Sequence, residues 1–417
     1  MKVLVVGGGG REHTIIWKLS QSPLVREIYC APGNPGIEEL AKSVDIAPED
    51  IEKLVEFAQE RSIDLTVVGP EAPLVLGIAD KFKEAGLKII APSKAGAELE
   101  GSKSFSKNFM VKYNIPTGGY TEVTSYDEGL NALKDYTYPL VIKADGLAAG
   151  KGVLICENEI EAKNGLKEIM LDRVFGTSGD KVVIEEFLEG IETSVLCFVD
   201  NKNIVPMVSS QDHKRIYDGD EGPNTGGMGT YSPNFVYTKE IEAIVEETIL
   251  KPTLEGIQKE GMDYKGIIFI GLMITKDGPK VLEYNVRFGD PETQVVLPRL
   301  ETDLMEIFNH MTEEKLSDID IKWNDKAVVC VVLASGGYPG DYEKGIEITG
   351  LEEIQGETIV FHAGTAMKDG KLVTNGGRVL GVTSWGADIA AARKEVYNNV
   401  DKIEFAGKTY RKDIAVR

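Results

Sequence analysis

The chain has 417 residues, with 42% hydrophobic and 27% charged side chains, the balance of a folded protein too long for a single core. Its 46 basic and 67 acidic residues leave a net charge of -21, opposite in sign to the basic surface that a nucleic-acid binder lays over phosphates. No apolar run approaches the length of a membrane span, and the first one is cut short by glycine, so neither a signal peptide nor a membrane partner is expected. Cys30, Cys156, Cys197 and Cys330 are far apart and read as small buried hydrophobes, which suits a reducing, cytoplasmic setting.

Taken in chain order, residues 2–6 are a β-rich run followed by the glycines 7–10, and 11–20 are helical in pattern. Strand signals recur at 27–30, 64–70 and 87–93, with a helix over 49–61 carrying Ile51, Leu54, Val55 and Ala58 on one stripe. Strands separated by helices predict a doubly wound parallel sheet, an α/β unit over 1–100. The stretch SKSFSKNFMVKY reads as a helix that stops at Asn114-Ile115-Pro116, because proline disfavours helix in the residue before it. An α+β unit follows over 101–324, with a lid of about 116–190. Its clearest feature is the hairpin 266–285, turning at Asp277-Gly278. Residues 302–311 read as a short helix. From 325 to the end the chain is strand-rich with glycine turns and a helix over 387–400, a small β-rich domain.

Several stretches carry chemistry. VVGGGGREH joins a strand to a helix, where free N–H groups and the helix dipole favour an anion. A dinucleotide is disfavoured: Glu12 or His13 stands where the third glycine of G-x-G-x-x-G belongs, and Ala31-Pro32 stands where a ribose-binding acid belongs. A smaller phosphate on Gly8, Gly9, Gly10, Arg11 and Glu12 fits better; a turn that only packs the sheet is the plain alternative. VIKADGLAAGKGV places Lys143 and Lys151 at the two ends of a glycine-rich turn, spaced wrongly for a Walker A loop. Gly146, Gly150 and Gly152 would let backbone close on a phosphate chain. In VVIEEFLEGIETS, main-chain groups near Glu185, Glu186, Phe187 and Leu188 could meet an adenine edge, with Glu192 toward ribose, although by itself this stretch reads more plainly as an edge strand with solvated acids. In VLEYNVRFGDPETQ, Glu283 and Asn285 share one strand face and suit a hard cation such as Mg²⁺. Arg287 would follow on that face if the strand persisted. So many charged groups beside an apolar hairpin are poor core material and point to a site.

Together these stretches resemble the ATP-grasp ligases. With APGNPG, GPEAPL and QDHKRIYDGDEGPNTGGMGTYSP (211–233), the resemblance covers the whole chain in order and narrows to the phosphoribosylamine–glycine ligases. It implies ligation of glycine to 5-phosphoribosylamine with ATP, through glycyl phosphate, giving glycinamide ribonucleotide, ADP and phosphate in purine synthesis. It implies small-molecule partners only and a monomer. By the same resemblance Lys103, Lys143 and Lys151 would hold ATP phosphates, and Glu283 and Asn285 would hold Mg²⁺ or Mn²⁺. Arg287 would face the acyl phosphate. Asp212, Lys214, Asn224, Thr225, Gly227, Met228, Asp290, Pro291 and Glu292 would serve glycine and the amine, and Gly9 with Arg11 the ribose phosphate. One departure is Gly271, twelve residues before Glu283, where many ATP-grasp enzymes carry a metal-binding acid. It leaves fewer protein ligands and a looser metal choice.

His213 reads as a polar or hydrogen-bonding residue rather than an acid–base group. The remaining histidines lack metal-type spacing, and HAGT (362–365) reads as a tight turn, with a place in the nucleotide pocket as its alternative. Three rivals differ in what they require. Another ATP-grasp ligase would release ADP with a different acid or amine; an NAD oxidoreductase would need the missing ribose-binding acid; a regulatory nucleotide binder would show no turnover.

Overall fold

The computed structural model describes residues 1–148 and 152–416. Strands β1 (Lys2–Gly7), β2 (Glu27–Pro32), β3 (Lys42–Ser43), β4 (Leu65–Val68) and β5 (Ile89–Pro92) run parallel in the order β5-β4-β1-β2-β3. Helices α1 (Gly10–Leu19), α2 (Ile51–Glu60), α3 (Glu71–Leu76) and α4 (Ile78–Glu84) lie in the connections. Val3, Leu4, Val5 and Val6 are all fully covered, which is why β1 reads as an unbroken apolar run rather than an alternation. Next come α5 (Lys94–Gly101) and α6 (Lys103–Lys112). Ser102 caps α6 by accepting the Phe105 N–H, and Asp145 accepts the Ser104 N–H at 2.7 Å.

The small antiparallel sheet β6-β9-β7-β8 comprises β6 (Tyr120–Val123), β7 (Leu140–Ala144), β8 (Val153–Cys156) and β9 (Val182–Glu186). With α7 (Tyr126–Ala132) and α8 (Glu159–Met170) it encloses its own core, including Ile142, Leu166, Ile169 and Ile184. The chain continues through β10 (Ile191–Asp200), β11 (Ile204–Pro206) and the short strands β12 (Gln211–Asp212), β13 (Arg215–Tyr217), β14 (Glu221–Asn224) and β15 (Gly229–Ser232). Helices α9 (Lys239–Val245) and α10 (Lys251–Lys259) then lead to the predicted hairpin, β16 (Tyr264–Thr275) and β17 (Gly278–Asn285).

β16 is the spine of the molecule. It pairs along its length with β10 and β17, and its first residues, Tyr264 and Lys265, pair with Pro92 and Ala91 of β5. The antiparallel centre and the N-terminal parallel array are therefore one nine-stranded sheet. The last segment holds α11 (Thr293–Val296), α12 (Leu304–Thr312), β18 (Ala327–Ala334), β19 (Thr358–His362), β20 (Thr365–Lys368), β21 (Lys371–Thr374), β22 (Arg378–Gly386) and α13 (Ile389–Val400). Its sheet has the order β12-β15-β18-β22-β19, so two strands from 211–232 are woven into it. That pairing is far apart in the chain and leaves no local trace in the sequence. No helix among the described residues is long and apolar enough to cross a membrane.

Ile268 on β16 is fully buried in the core shared by the central and N-terminal strands. Ile268→Ala is expected to destabilise the protein by about 2–5 kcal/mol, read as a lower urea midpoint. A midpoint equal to that of the parent chain would show that β16 is not the common support.

Candidate active site

The site gathers at the end of β17, where the hairpin, α6 and the small sheet meet. Lys103, the first residue of α6, donates from Nζ to the Gly146 carbonyl at 3.0 Å. Lys143 on β7 reaches across to the Leu282 carbonyl at 3.3 Å. Leu282 is the extra residue of a β-bulge, since Gly271 pairs with Glu283 while Leu272 pairs with Val281. The Glu185 carboxylate on β9 is buried between two lysines, 2.8 Å from Lys107 Nζ and 2.9 Å from Lys143 Nζ. β9 ends at Glu186, so Phe187 and Leu188 lie beyond the ladder with their main chain clear of it. Gly146 is fixed by crowding: a Cβ there would stand 2.5 Å from Ser178 Oγ, and one at Gly152 2.6 Å from Ala148 Cβ. Gly150 and Lys151 lie outside the described residues.

Glu283 and Asn285 project from the same strand, as their spacing requires. Burial opposes the charge on Glu283, but Lys214, Lys143, Lys103 and Arg287 together hold it below the usual carboxylate range. The strand stops at Asn285, yet Arg287 stays with the group. It donates to Asn285 Oδ1 at 3.1 Å and pairs with Glu71 at 3.2 Å and Glu100 at 2.9 Å. Glu100 also accepts the Val286 N–H at 2.8 Å, which fixes the backbone just before Arg287. Gly271 lies directly across the ladder from Glu283, so no side chain faces that carboxylate from β16 at this register.

Beyond Arg287 a group of carboxyls faces the 211–233 stretch. Burial and then Glu292 push Asp212 up, and burial likewise raises Glu292. Lys214 pairs with Glu192 at 3.1 Å. Burial would discharge this lysine, but Glu192, Glu283 and Asp212 keep it protonated. Thr225 donates from Oγ1 to the Lys214 carbonyl at 2.8 Å and accepts the Gly227 N–H at 3.0 Å. Gly227 has φ +114°, and a Cβ on it would meet Pro291 Cδ at 2.4 Å and Asp212 Oδ1 at 2.7 Å, so only glycine fits. Asn224 ends β14 and Met228 is fully buried beside Ile216. His213 bonds through its ring Nδ1 and its main chain to the Gly229 carbonyl, a fixed structural role.

The first glycine turn joins the same cleft. Positions for side-chain carbons on Gly9 and Gly10 lie 3.7 and 3.8 Å from Asp290 carboxylate oxygens. Gly8 is pressed against the Gly33 carbonyl, which a Cβ would approach to 2.5 Å. Glu12 caps the start of α1: its carboxylate accepts the Gly9 N–H at 2.6 Å and the Arg11 Nε–H at 2.6 Å. Arg11 also donates to the Phe288 carbonyl, tying the turn to the segment after Arg287.

Motif reading missed Lys107, Glu71, Glu100 and Arg378. Lys107 follows Lys103 by one helical turn, and Glu71 sits in GPEAPL, so both had a local signal. Arg378 had none. It enters from the C-terminal sheet, donates to the carbonyls of Gly226 and Asp290 at 2.7 Å each, and lies 3.5 Å from the Asp290 carboxylate. The HAGT turn packs on the first glycine turn: the His362 N–H donates to His13 Nδ1 at 2.9 Å, and the Asn34 amide donates to both the Gly8 and His362 carbonyls at 2.9 Å.

Among the described residues no three His, Cys, Asp or Glu side chains converge on a metal position. The donor set at β17 nevertheless fits a divalent ion that keeps substrate oxygens as its other ligands. Glu283 is held ionised, no described group hydrogen-bonds to its carboxylate, and an amide oxygen stands beside it.

Comparison with known proteins matches this arrangement in order. Models of the phosphoribosylglycinamide synthetase N domain, ATP-grasp (A) domain and C domain match residues 1–100, 101–293 and 328–417. The chain belongs to the phosphoribosylglycinamide synthetase family. A phosphoribosylamine–glycine ligase of Caldanaerobacter subterraneus is 56% identical, covering 100% of this chain and 99% of its own. One from Clostridium acetobutylicum is 54% identical over 99% of each. The crystal structure of the Thermotoga maritima phosphoribosylamine–glycine ligase superposes with a TM-score of 0.88 at 36% identity, covering 100% of both chains.

In this member of the synthetase family the His13–His362 contact has a testable acid response. Burial lowers His13 to about 3, helped by His362, and burial lowers His362 to about 4. Between those values and 6.5 the unfolded chain binds the protons and the folded one does not. Stability is therefore complete above about 6.5 and falls as pH drops, by roughly 2 kcal/mol per histidine at pH 5. Urea unfolding at pH 7 and pH 5 should show this loss, and the double variant His13→Gln/His362→Gln should lose that much less. Equal slopes would remove the histidines from the acid response.

Proposed function

We infer that the chain joins glycine to 5-phosphoribosylamine with ATP, forming glycinamide ribonucleotide, ADP and phosphate, a step of purine synthesis. Membership of the synthetase family supports this reading, as do the close relatives named as ligases over their full length. The single structural observation that carries it is an ionised Glu283 and a neighbouring amide oxygen set among Lys103, Lys143, Lys214 and Arg287.

A carboxylate is a poor acyl donor. Transfer of the ATP γ-phosphoryl group to the glycine carboxylate gives glycyl phosphate and ADP. The amine then attacks the acyl carbon, phosphate leaves, and the amide forms. Lys103, Lys143 and Lys151, with the turn Gly146, Gly150 and Gly152, bind the triphosphate. Arg287, locked by Glu71 and Glu100, steadies charge on the transferring group. A bound Mg²⁺ or Mn²⁺, held by Glu283 and Asn285, supplies neutralisation of phosphate charge.

The main chain of Glu185, Glu186, Phe187 and Leu188 meets adenine, and Glu192 shares itself between Lys214 and the ribose. Asp212, Lys214, Asn224, Thr225, Gly227, Met228, Asp290, Pro291 and Glu292 enclose glycine and the amine. Gly8, Gly9, Gly10, Arg11 and Glu12 line the end that takes the ribose phosphate. The small sheet serves as a lid that keeps water from the acyl phosphate. We place the protein in the cytoplasm as a monomer.

Glu283→Ala should lower glycine-dependent ADP formation by about a hundredfold or more while circular dichroism stays unchanged. The coupled assay is run with and without glycine and freshly made phosphoribosylamine. Near-normal turnover would take Glu283 out of the metal role. ADP release that ignores glycine would point to another acid substrate.

A further inference from the structure

Lys107 has no task in the reaction above, yet it is 2% exposed and carries an ammonium group into the interior. Its Nζ donates to Thr117 Oγ1 at 2.8 Å, pairs with Glu185 Oε2 at 2.8 Å, and lies 5.9 Å from the centre of the Tyr120 ring. Thr117 in turn donates to the Val281 carbonyl at 2.7 Å, so the ammonium is anchored to the hairpin that bears the metal ligands. An apolar side chain would fill the same space without the cost of burying a charge.

The reason lies with Glu185, which is 4% exposed and faces two ammonium groups. The contact of its Oε1 with Lys143 Nζ, at 2.9 Å, is an ion pair without hydrogen-bond alignment, and Oε1 has no hydrogen-bond donor among the described residues. The aligned bonds of both lysines go elsewhere, that of Lys143 to the Leu282 carbonyl and that of Lys107 to Thr117 Oγ1, so Glu185 is shared between two ammonium groups by charge alone. One carboxylate thus serves two lysines and the trio is left positive. Glu283, the other carboxylate acting on Lys143, is committed to the divalent ion in the reading above.

We propose that Lys107 is a positioning residue for the nucleotide's phosphate chain: it holds Glu185 so that this carboxylate neutralises only part of Lys143, and the remaining positive charge faces the triphosphate. Without Lys107, Glu185 turns wholly to Lys143 and competes with the phosphates for it. This rests on the assignment of Lys143 as a phosphate ligand.

The test is equilibrium binding of ATP, ADP and adenosine to the full chain with Mg²⁺, comparing K107M, K107M/E185Q and K143M with the parent. K107M should weaken ATP and ADP by about tenfold, the worth of one charge-assisted contact, and leave adenosine within about twofold. K107M/E185Q, which also removes the competing carboxylate, should recover most of the ATP affinity. An equal loss for adenosine overturns the proposal, since a merely structural role would disturb the whole nucleotide site. Unchanged ATP binding in K107M, or a double variant no better than the single one, overturns it as well. Should K107M fail to fold, the double variant decides: near-parental ATP affinity supports the proposal, and a loss as large as that of K143M overturns it. Parental ATP affinity in K143M would bring down the assignment of Lys143 and this inference with it, a pattern distinct from a failure confined to K107M.

Discussion

Glu283 is a carboxylate kept ionised in a place where burial works against charge, and it is kept so by Lys214, Lys143, Lys103 and Arg287. These four arrive from β17's own end, from α6, from β7 and from the 211–233 stretch, so the charge can be held only if all of those parts are docked. The cations need partners in turn. Arg287 has Glu71 and Glu100, Lys214 has Glu192, and Lys143 shares Glu185 with Lys107. An ion network of this kind contributes little net stability against an apolar core of equal volume. Its value is geometric: each carboxylate fixes where a cation stands before any substrate arrives, so that little reorganisation is left for the moment of reaction.

The scaffold that makes this possible is the continuity of the sheets. β16 belongs at once to the parallel array, through β5, and to the antiparallel centre, through β10 and β17. A shift of the hairpin would therefore strain the glycine turn at the end of β1. The C-terminal sheet takes β12 and β15 into its own ladder, and Arg378 from β22 clasps the Gly226 and Asp290 carbonyls. Buried Arg411 adds a second clasp near the C-terminus, pairing with Asp220 at 2.7 Å. The segment that follows residue 325 in the chain thus packs directly against Gly226 and Asp290.

What could be read from the sequence was local. The apolar run of β1, the stripe of α2, the proline after α6 and the Asp277-Gly278 turn each act over a few residues, and each element formed where its pattern put it. Glu283 and Asn285 were legible because strand periodicity alone sets two residues on one face. What stayed hidden depends on pairing at a distance. Lys107 looks like a surface lysine until Glu185 is brought to it across the β6–β9 ladder. His13 and His362 stand 349 positions apart and touch only because α1 packs under β19. Arg378 sits among glycines in a stretch whose only visible pattern is that of a strand. Glu185 shows the same limit: its strand position was legible, but the two lysines that its side chain meets were not.

The small sheet raises a question of movement that the contacts themselves answer. It is tied to the rest of the chain beside Lys103 and Lys143: Asp145 caps α6 through the Ser104 N–H and the Ser102 hydroxyl, and Lys103 bonds back to the Gly146 carbonyl. A rigid rotation that preserves these bonds must pivot close to Asp145. Points near the pivot move least and distant ones, such as α8, move most. Lys103 and Lys143 lie close to that pivot, so such a rotation would leave them nearly in place while the outer part of the sheet moved. Under the function proposed above, closing over an acyl phosphate and releasing ADP would then be displacements of the far edge, with the charge framework around Glu283 left in place.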